Sequence, residues 1–250
     1  MKSFTRTVIA ALSVATLVAG CATTPSTTAL QPADGRTRLV AVLPMNEGYG
    51  PSDQDAYEAR IAPIAAEHGM VRDSAYTVTK FLGGSGPSAA STVGVWSLES
   101  PEGLQGVMTD PKYQANIPYR DQLHDMAHVN MYLASEEELG ARPPAGHVLL
   151  VGLLAFKPGF GYQDHVDYER GISAITARHG MHLVRGFKVL KVMGGAANIA
   201  AVAVWALPSP EALGEIMSDP EYVANIPIRD RAHDMAATTM YFVSQRAGQR

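Results

Sequence analysis

The stretch from Asp110 to Ser135 reads DPKYQANIPYRDQLHDMAHVNMYLAS, and it recurs from Asp219 to Ser244 as DPEYVANIPIRDRAHDMAATTMYFVS. The likeness also extends upstream. Val93–Ser135 and Val202–Ser244 align without a gap at an offset of 109 residues, with 25 of 43 positions identical. Self-similarity of this length indicates an internal duplication. The sequence therefore predicts two copies of one structural unit.

The second copy has the hydrophobic pattern of strands and helices in a definite order. An apolar run of strand length is followed by a stripe of helical period, two further strands, two helix starts and a last strand. Because Pro227 cannot lie deep inside a regular helix, we expect a break near Asn225. The predicted elements are strand His147–Phe156, helix Asp164–His179, strands Met181–Met193 and Ile199–Leu207, helices from Ser209 and Asp219, and strand Thr238–Ser244.

The first copy follows the same plan, with two extra residues in its Gly83-Gly84-Ser85-Gly86 hairpin, so its first helix is offset by 111. Its predicted elements are strand Arg38–Met45, helix Asp53–His68, strands Met70–Leu82 and Ser91–Leu98, helices from Ser100 and Asp110, and strand Asn130–Ala134. The order β-α-β-β-α-β is that of the ferredoxin-like split βαβ unit, an antiparallel sheet with helices on one face.

The uncovered face of each sheet needs a partner. Two sheets packed face to face within one chain would supply it. The predicted fold class is therefore α+β, with two tandem ferredoxin-like βαββαβ repeats packed as an intramolecular pseudo-dimeric α/β barrel.

The unit order, the unit length, the Ser-Pro-Glu and Asp-Pro-x-Tyr helix starts and the late Arg before the closing strand resemble the dimeric α/β-barrel superfamily. The resemblance covers Arg38–Ser244 and is greatest to the small uncharacterised and EthD-like domains of that superfamily, with antibiotic-biosynthesis monooxygenases further off. It implies a barrel that one polypeptide builds from two units. Members include cofactorless oxygenases, isomerases and cyclases, haem enzymes and stress proteins, so the resemblance does not select a function.

The N-terminal residues have the pattern of a targeting segment. Two basic residues precede an apolar stretch, Val8–Val18, that is too short to span a bilayer. The sequence Val18-Ala19-Gly20-Cys21 resembles the lipobox of bacterial lipoproteins, which implies cleavage before Cys21 and lipidation of this residue, the only cysteine of the chain. Ala22 follows it, not the Asp that favours inner-membrane retention in enterobacterial lipoproteins. We therefore expect an anchor in the outer membrane, facing the periplasm.

Changes in composition divide the chain into six segments. Residues 22–37 are rich in Thr, Ser and Pro, which predicts a flexible tether. An acidic run followed by Pro-Pro-Ala-Gly marks the boundary between the copies. The predicted segments are signal peptide 1–20, tether 21–37, first repeat 38–135, linker 136–146, second repeat 147–244 and tail 245–250.

Charge and residue spacing exclude several classes of partner. The formal net charge is −4, and no basic patch with interleaved aromatic residues occurs, which argues against nucleic acid. No carboxylate triad is present, so no metal is expected, and no cofactor is predicted. The predicted partners are the membrane, through the lipid, and a small apolar or aromatic ligand, while a homo-oligomer stays open.

A polar cluster recurs in the second helical region of both copies. It comprises Tyr113, Asn116, Arg120, Asp121, His124 and Asp125, and in the second copy Tyr222, Asn225, Arg229, Asp230, His233 and Asp234. Each Arg lies four residues before the His and shares its helix face. A guanidinium beside an imidazole could bind an enolate-like oxygen while the His moves a proton. The alternative is structural, because His and Arg near a helix C-terminus interact favourably with its dipole.

Two tryptophans also fall at matching strand positions, where they either line a ligand cavity or pack under the helices. The catalytic candidates are His124, His233, Arg120 and Arg229. The ligand-binding candidates are Tyr113, Tyr222, Trp96, Trp205, Asn116 and Asn225.

Three functions remain open from the sequence. The preferred one is a cell-envelope lipoprotein that binds a small apolar or aromatic ligand, or an envelope partner, without assigned catalysis. The alternatives are a cofactor-independent oxygenase or isomerase that uses the Arg/His/Asp/Tyr cluster, and a haem protein with His124 or His233 as axial ligand. If a ligand binds, we expect two related but unequal pockets, one in each repeat.

Overall fold

The computed structural model describes residues 31–32 and 37–246. The predicted signal peptide, the lipidation site at Cys21, most of the tether and the end of the tail lie outside the described residues. Within the described part of the chain, no helix is both long and apolar enough to cross a membrane.

The first half of the chain forms five strands and four helices. The strands are β1 (Gln31–Pro32), β2 (Thr37–Pro44), β3 (Met70–Gly83), β4 (Ala90–Leu98) and β5 (Asn130–Leu139). The helices are α1 (Pro51–Glu67), α2 (Pro101–Thr109), α3 (Pro111–Gln114) and α4 (Ile117–Leu123).

The second half repeats this order with one helix fewer. The strands are β6 (Val148–Ala155), β7 (His182–Gly194), β8 (Ile199–Leu207) and β9 (Thr239–Gln245). The helices are α5 (Tyr162–Arg178), α6 (Glu211–Ser218) and α7 (Pro220–Ala232). The predicted strands and helices are confirmed, with ends that differ by a few residues.

Two details differ from the sequence prediction. Strand β5 continues to Leu139, so residues 136–139, which were assigned to the linker, pair with β7. The reason is a buried ion pair of Glu136 with Arg185, a contact that the local acidic run does not reveal. The break expected near Asn225 occurs only in the first copy, between α3 and α4, because α7 continues through Pro227. Pro227 lacks the backbone N–H that would bond to the carbonyl of Val223, one turn earlier in α7. Because Val223 is exposed, the helix tolerates the loss of this one hydrogen bond.

All strand pairs are antiparallel, and the sheet closes on itself. The order is β1-β5-β2-β4-β3-β9-β6-β8-β7, and β7 pairs in turn with β5. The eight strands β2–β9 therefore form a barrel, and the short β1 lies beside β5. The two halves meet at the β3–β9 and β5–β7 seams. The two sheets are thus not merely packed face to face, since hydrogen bonds join their edges and leave no open edge between the halves.

Three apolar cores follow from the alternation of side chains along the strands. The barrel interior is filled by residues from both halves, among them the fully buried Tyr132, Phe187 and Tyr241. The two outer cores lie between the barrel wall and the helices, one in each half, and contain Trp96 and Trp205 respectively. The interior of the barrel is thus packed, and the helices cover the outer face of its wall.

Candidate functional site

Each half contains a cavity between its helices and the outer face of its strands. The cavity of the second half, called the second cavity, has a volume of about 370 Å³, and the first cavity has about 170 Å³. Their linings correspond residue by residue, for example Trp205 with Trp96 and Tyr222 with Tyr113. Ligand pockets for drug-sized molecules occupy about 300–1,000 Å³, so only the second cavity reaches this range.

Helix α5 supplies one wall of the second cavity. His165, Tyr168, Glu169, Ile172 and Thr176 all line it. Their spacing of three and four residues places them on a single face of the helix. This wall is therefore unusually polar for a surface that packs towards a sheet.

Two buried histidines contact each other in the second cavity. His233 Nε2 lies 3.4 Å from His165 Nδ1, and His233 Nδ1 lies 3.1 Å from the carbonyl oxygen of Arg229. Since a carbonyl only accepts, His233 donates through Nδ1, and His165 Nδ1 then donates to His233 Nε2. This leaves His165 Nε2 with its lone pair and with no hydrogen-bond partner among the described residues.

Burial keeps both imidazoles neutral. It lowers the pKa of His165 to about 3, with a further contribution from His233, and it lowers the pKa of His233 as well. At neutral pH the pair therefore offers hydrogen bonds rather than positive charge.

Glu169 lies on the same wall, where Trp205 Nε1 donates a hydrogen bond of 3.2 Å to its Oε2 atom. Burial raises the pKa of this carboxyl to about 7, although the hydrogen bond from Trp205 opposes the shift. The nearby Glu138 adds to the increase. The Glu169 side chain thus takes up or releases a proton close to neutral pH.

The opposite wall carries a tyrosine and an arginine from α7. Tyr222 is buried, and Arg229 donates through Nε to Asp230 at 2.8 Å. Tyr168, across the cavity, has a buried hydroxyl without a hydrogen-bond partner within residues 37–246. Burial raises its pKa, and the neighbouring Tyr222 raises it further. The hydroxyl is thus a neutral donor available to a ligand.

The first cavity contains the same framework with different polar contacts. Gln54 takes the position of His165 and donates a 2.8 Å hydrogen bond to Glu58, the counterpart of Glu169. Glu58 also forms ion pairs with Arg72 and Arg246. This carboxylate is therefore satisfied by groups of the protein itself.

His124 in the first cavity has Gln54, not a histidine, at the position that His165 occupies beside His233. It is 2% exposed, and neither ring nitrogen has a hydrogen-bond partner among the described residues. Burial lowers its pKa to about 4. The ring of Tyr57 packs edge-on against it at 5.8 Å between centroids. Because Gln54 turns towards Glu58, no side chain reaches His124 as His165 reaches His233.

Most of the predicted site residues face the two cavities. Four line the first cavity and four the second: Trp96, Tyr113, Arg120 and His124, and Trp205, Tyr222, Arg229 and His233. Asn116 and Asn225 are not among the residues that line these two cavities. Each amide donates at 2.8 Å to a backbone carbonyl four residues earlier, in the turn that precedes a proline.

The sequence prediction missed His165 and Glu169. A usable signal is present at the offset of 111, where Tyr57-Glu58 and Tyr168-Glu169 recur within YEARI and YERGI. The polar cluster that recurs at the offset of 109 lies on α7 and indicates that helix, not α5. No group of three or more His, Cys, Asp or Glu in the described ranges could hold a metal ion.

The His165→Gln variant is expected to lose less stability in acid than the unaltered protein. The pKa of His165 is about 3 when folded and about 6.5 when unfolded, so only the unfolded chain gains this proton between those values. The free energy of unfolding therefore falls as the pH drops below 6.5, by up to about 1.4 kcal/mol per pH unit. The raised pKa of Glu169 has the opposite effect in both proteins, since the folded state binds this proton more readily than the unfolded chain and is stabilised as the pH falls below 7.

Urea unfolding at pH 7 and pH 4.5 tests this expectation. The variant should lose about 2 kcal/mol less than the unaltered protein between these two values. Gln is the residue that the first copy carries at this position, so the substitution fits the local framework. Equal losses in the two proteins would contradict a neutral, buried His165.

Comparison with known proteins supports the architecture. No family model matches the sequence, and no curated protein sequence matches it. Solved structures do match. An anthrone oxidase-like protein has a TM-score of 0.55 at 12% identity, over 88% of this chain and 98% of that chain.

Two further solved structures are also similar to this chain. A monooxygenase-like protein of Fusobacterium nucleatum has a TM-score of 0.51 at 8% identity, over 85% of this chain and 94% of its own. A haem-binding protein of Thermus thermophilus has a TM-score of 0.46 at 10% identity, over 86% and 94%. At such identities the likeness concerns the fold alone.

Proposed function

We propose that this protein binds a small, flat, largely apolar ligand in the second cavity. The observation that carries the proposal is a pocket of about 370 Å³ with aromatic walls and a few convergent polar groups. This combination is typical of small-molecule sites. The polar groups are the neutral histidine pair, Glu169 and the hydroxyl of Tyr168. An aromatic ring packed against Trp205 would leave its substituents within reach of these groups.

A cofactor-independent oxygenase or isomerase is the second candidate. It is favoured by Glu169, whose pKa of about 7 suits the exchange of a proton with a substrate near neutral pH. The lone pair on His165 Nε2 could accept a hydrogen bond from the same substrate. Arg229, on the facing wall, could stabilise a developing oxyanion. The likeness in fold to the anthrone oxidase-like protein agrees with such chemistry but does not identify a substrate.

The two predicted axial ligands, His233 and His124, fit a haem group poorly. Both ring nitrogens of His233 lie within hydrogen-bonding distance of protein groups, so neither is free to bind iron. The nitrogens of His124 have no partner among the described residues, but its cavity of about 170 Å³ is below the size of drug-like ligands. We therefore derive no haem chemistry for either cavity.

We further propose that the two barrel halves arose by duplication and correspond to the two subunits of a dimeric barrel. The four-stranded units and their matched cavities support this proposal. Within the superfamily, small and EthD-like domains remain the proposed relatives.

The proposed location is the cell envelope, with lipid chains on Cys21 and the barrel tethered at the outer membrane. The support is the lipobox-like sequence Val18-Ala19-Gly20-Cys21 after a short apolar segment. Several acyl chains together would hold the protein stably, where one would be marginal.

Replacing Cys21 with Ser is expected to move the protein from the membrane to the soluble fraction. The substitution removes the thiol that would carry the lipid, and it lies outside the described barrel. The measurement is fractionation of cells that express each form, followed by detection of the barrel. Equal membrane retention of both forms would refute the lipid anchor and leave the ligand site unaffected.

The ligand proposal is tested with the two tryptophans, because each cavity contains one. In the Trp96→Phe variant, emission excited at 295 nm comes from Trp205 alone, and we expect it to change when 2-phenylethanol or a related small aromatic compound is added. In the matched Trp205→Phe variant, Trp96 reports the smaller cavity and should respond weakly. Absence of a Trp205 response across a panel of such compounds at millimolar concentration would refute the proposal.

A further inference from the structure

Glu58 and Glu169 occupy the same position of the duplicated unit but have different electrostatic surroundings. Each follows a cavity-lining tyrosine, precedes an isoleucine by three residues, and lines its own cavity. A difference between them therefore reflects the residues around each carboxyl and not its place in the fold.

In the first unit, two guanidinium groups neutralise the carboxylate. Arg72, from β3, forms an ion pair with Glu58, and Arg246, which follows β9, lies 3.9 Å from the same carboxylate oxygen. Glu58 itself is buried. Burial of this negative charge is therefore offset by positive charge that the chain supplies.

In the second unit, both of these cations are replaced. At the offset of 111, Leu183 stands where the first unit has Arg72, and at the offset of 109, Glu137 stands where it has Arg246. Glu169 forms no ion pair with any residue of the described chain, and its hydrogen-bond donor is Trp205. Glu138 makes its surroundings still more negative.

The other charged groups at the second cavity do not compensate Glu169. Arg229, on the facing wall, pairs with Asp230, and Arg170, next to Glu169 in sequence, pairs with Asp167 at 2.9 Å. The histidines of the cavity are neutral at pH 7 because burial lowers the pKa of each. The cavity thus combines an uncompensated carboxyl with aromatic walls formed by Trp205, Tyr168 and Tyr222.

We propose that the second cavity binds an aromatic amine whose ammonium group takes, against Glu169, the place that arginine takes against Glu58. The aromatic part of the ligand packs on the indole and phenol rings. Its ammonium group pairs with the carboxylate and also contacts the faces of those rings. This inference rests on the proposed function, since it names the chemistry of the ligand for the same cavity.

Binding of such a ligand is coupled to proton release. Without a ligand, burial raises the pKa of Glu169 to about 7, so the carboxyl is protonated in a large fraction of molecules at neutral pH. An ammonium ion beside it favours the ionised form, and the displaced proton passes to the buffer. A neutral ligand in the same cavity would release no proton from Glu169.

The experiment is calorimetric titration of the full protein with three probes of similar size at pH 7: 2-phenylethylamine, 2-phenylethanol and 3-phenylpropionate. We expect the amine to bind at least about tenfold more tightly than the alcohol, because a hydrogen bond between charged groups is stronger than one between neutral groups. The apparent enthalpy for the amine should also change with the ionisation enthalpy of the buffer, and that for the alcohol should not.

Two variants test whether this preference depends on the carboxyl of Glu169 and on the lack of a cation at position 183. Glu169→Gln should abolish the preference for the amine over the alcohol. Leu183→Arg restores the cation of the first unit and should weaken amine binding about tenfold or more. Glu215→Gln is the control, since Glu215 lies on α6 with its side chain 66% exposed and outside the cavity lining.

The outcomes separate this inference from the proposed function. If the alcohol changes Trp205 emission and binds as tightly as the amine, the proposed function stands and the amine inference is wrong. Tighter binding of 3-phenylpropionate, or an amine preference that persists in both Glu169→Gln and Leu183→Arg, would also overturn the inference. If none of the probes binds, both proposals fail.

Discussion

Replacing Glu136 with Gln is expected to lower the free energy of unfolding by about 3–5 kcal/mol. Glu136, on β5, is 3% exposed and accepts hydrogen bonds from Arg185 Nε on β7, at 2.6 Å, and from Arg38 Nη2 on β2, at 2.7 Å. The amide keeps the shape of the side chain but removes the charge that two buried guanidinium groups face. The loss should be large because the remaining cations cannot move into water.

The position of this ion network explains why we expect a global effect. Arg185 also donates to Ser74 at 2.7 Å and contacts Asp73, both on β3. The network therefore ties one strand of the second half to three strands of the first, close to the β5–β7 seam that closes the barrel.

Urea unfolding at pH 7 measures the loss, and Asp167→Asn is the matched control. That change also converts an acid to its amide, but Asp167 pairs with Arg170 on the surface, with both side chains more than half exposed. Such pairs contribute about 0–1 kcal/mol. If Glu136→Gln costs no more than the control, the network does not stabilise the closed barrel.

Replacing Phe187 with Ala is expected to cost about 3–5 kcal/mol as well. Phe187, on β7, is 0% exposed and packs in the barrel interior with residues of both halves. The guanidinium carbon of Arg185 lies 4.8 Å from the centre of its ring. Truncation removes the transfer free energy of the ring and leaves a void that a closed barrel cannot easily collapse to fill.

Leu190→Ala on the same strand is the control, because Leu190 is 57% exposed. Its substitution should change the free energy of unfolding by no more than about 0.5 kcal/mol. A small effect of Phe187→Ala would indicate a loosely filled interior and would weaken the assignment of ligand binding to the outer cavities. Since Phe187 and Arg185 are in contact, the effects of Phe187→Ala and Glu136→Gln need not add.

Much of the candidate site could be predicted from the duplication. Tyr113, Arg120 and His124 and their counterparts stand out because the same residues recur at the offset of 109, and all of them line the cavities. Asn116 and Asn225 recur as well, yet their amides bind backbone carbonyls. Recurrence identifies residues that both units share, but it does not distinguish residues that line a cavity from residues that stabilise a helix.

His165 lines a cavity although it does not recur in the other unit. Near the start of a helix, and matched by Gln54 in the other copy, it carries no motif. Its contact with His233, 68 residues further along the chain, exists only because α5 and α7 pack side by side over the same strands. A pair formed by tertiary packing leaves no local pattern.

The sequence alone determines the internal repeat, the order of strands and helices in each unit, and two related sets of candidate site residues. These features depend on periodicity, turns and helix starts within a few residues, and such signals are local. Only the tertiary structure decides that hydrogen bonds join the two units into one barrel with a filled interior, which places both sites beneath the helices. It also decides that Glu58 meets Arg72 and Arg246 whereas Glu169 meets no cation within residues 37–246, because those partners come from distant strands.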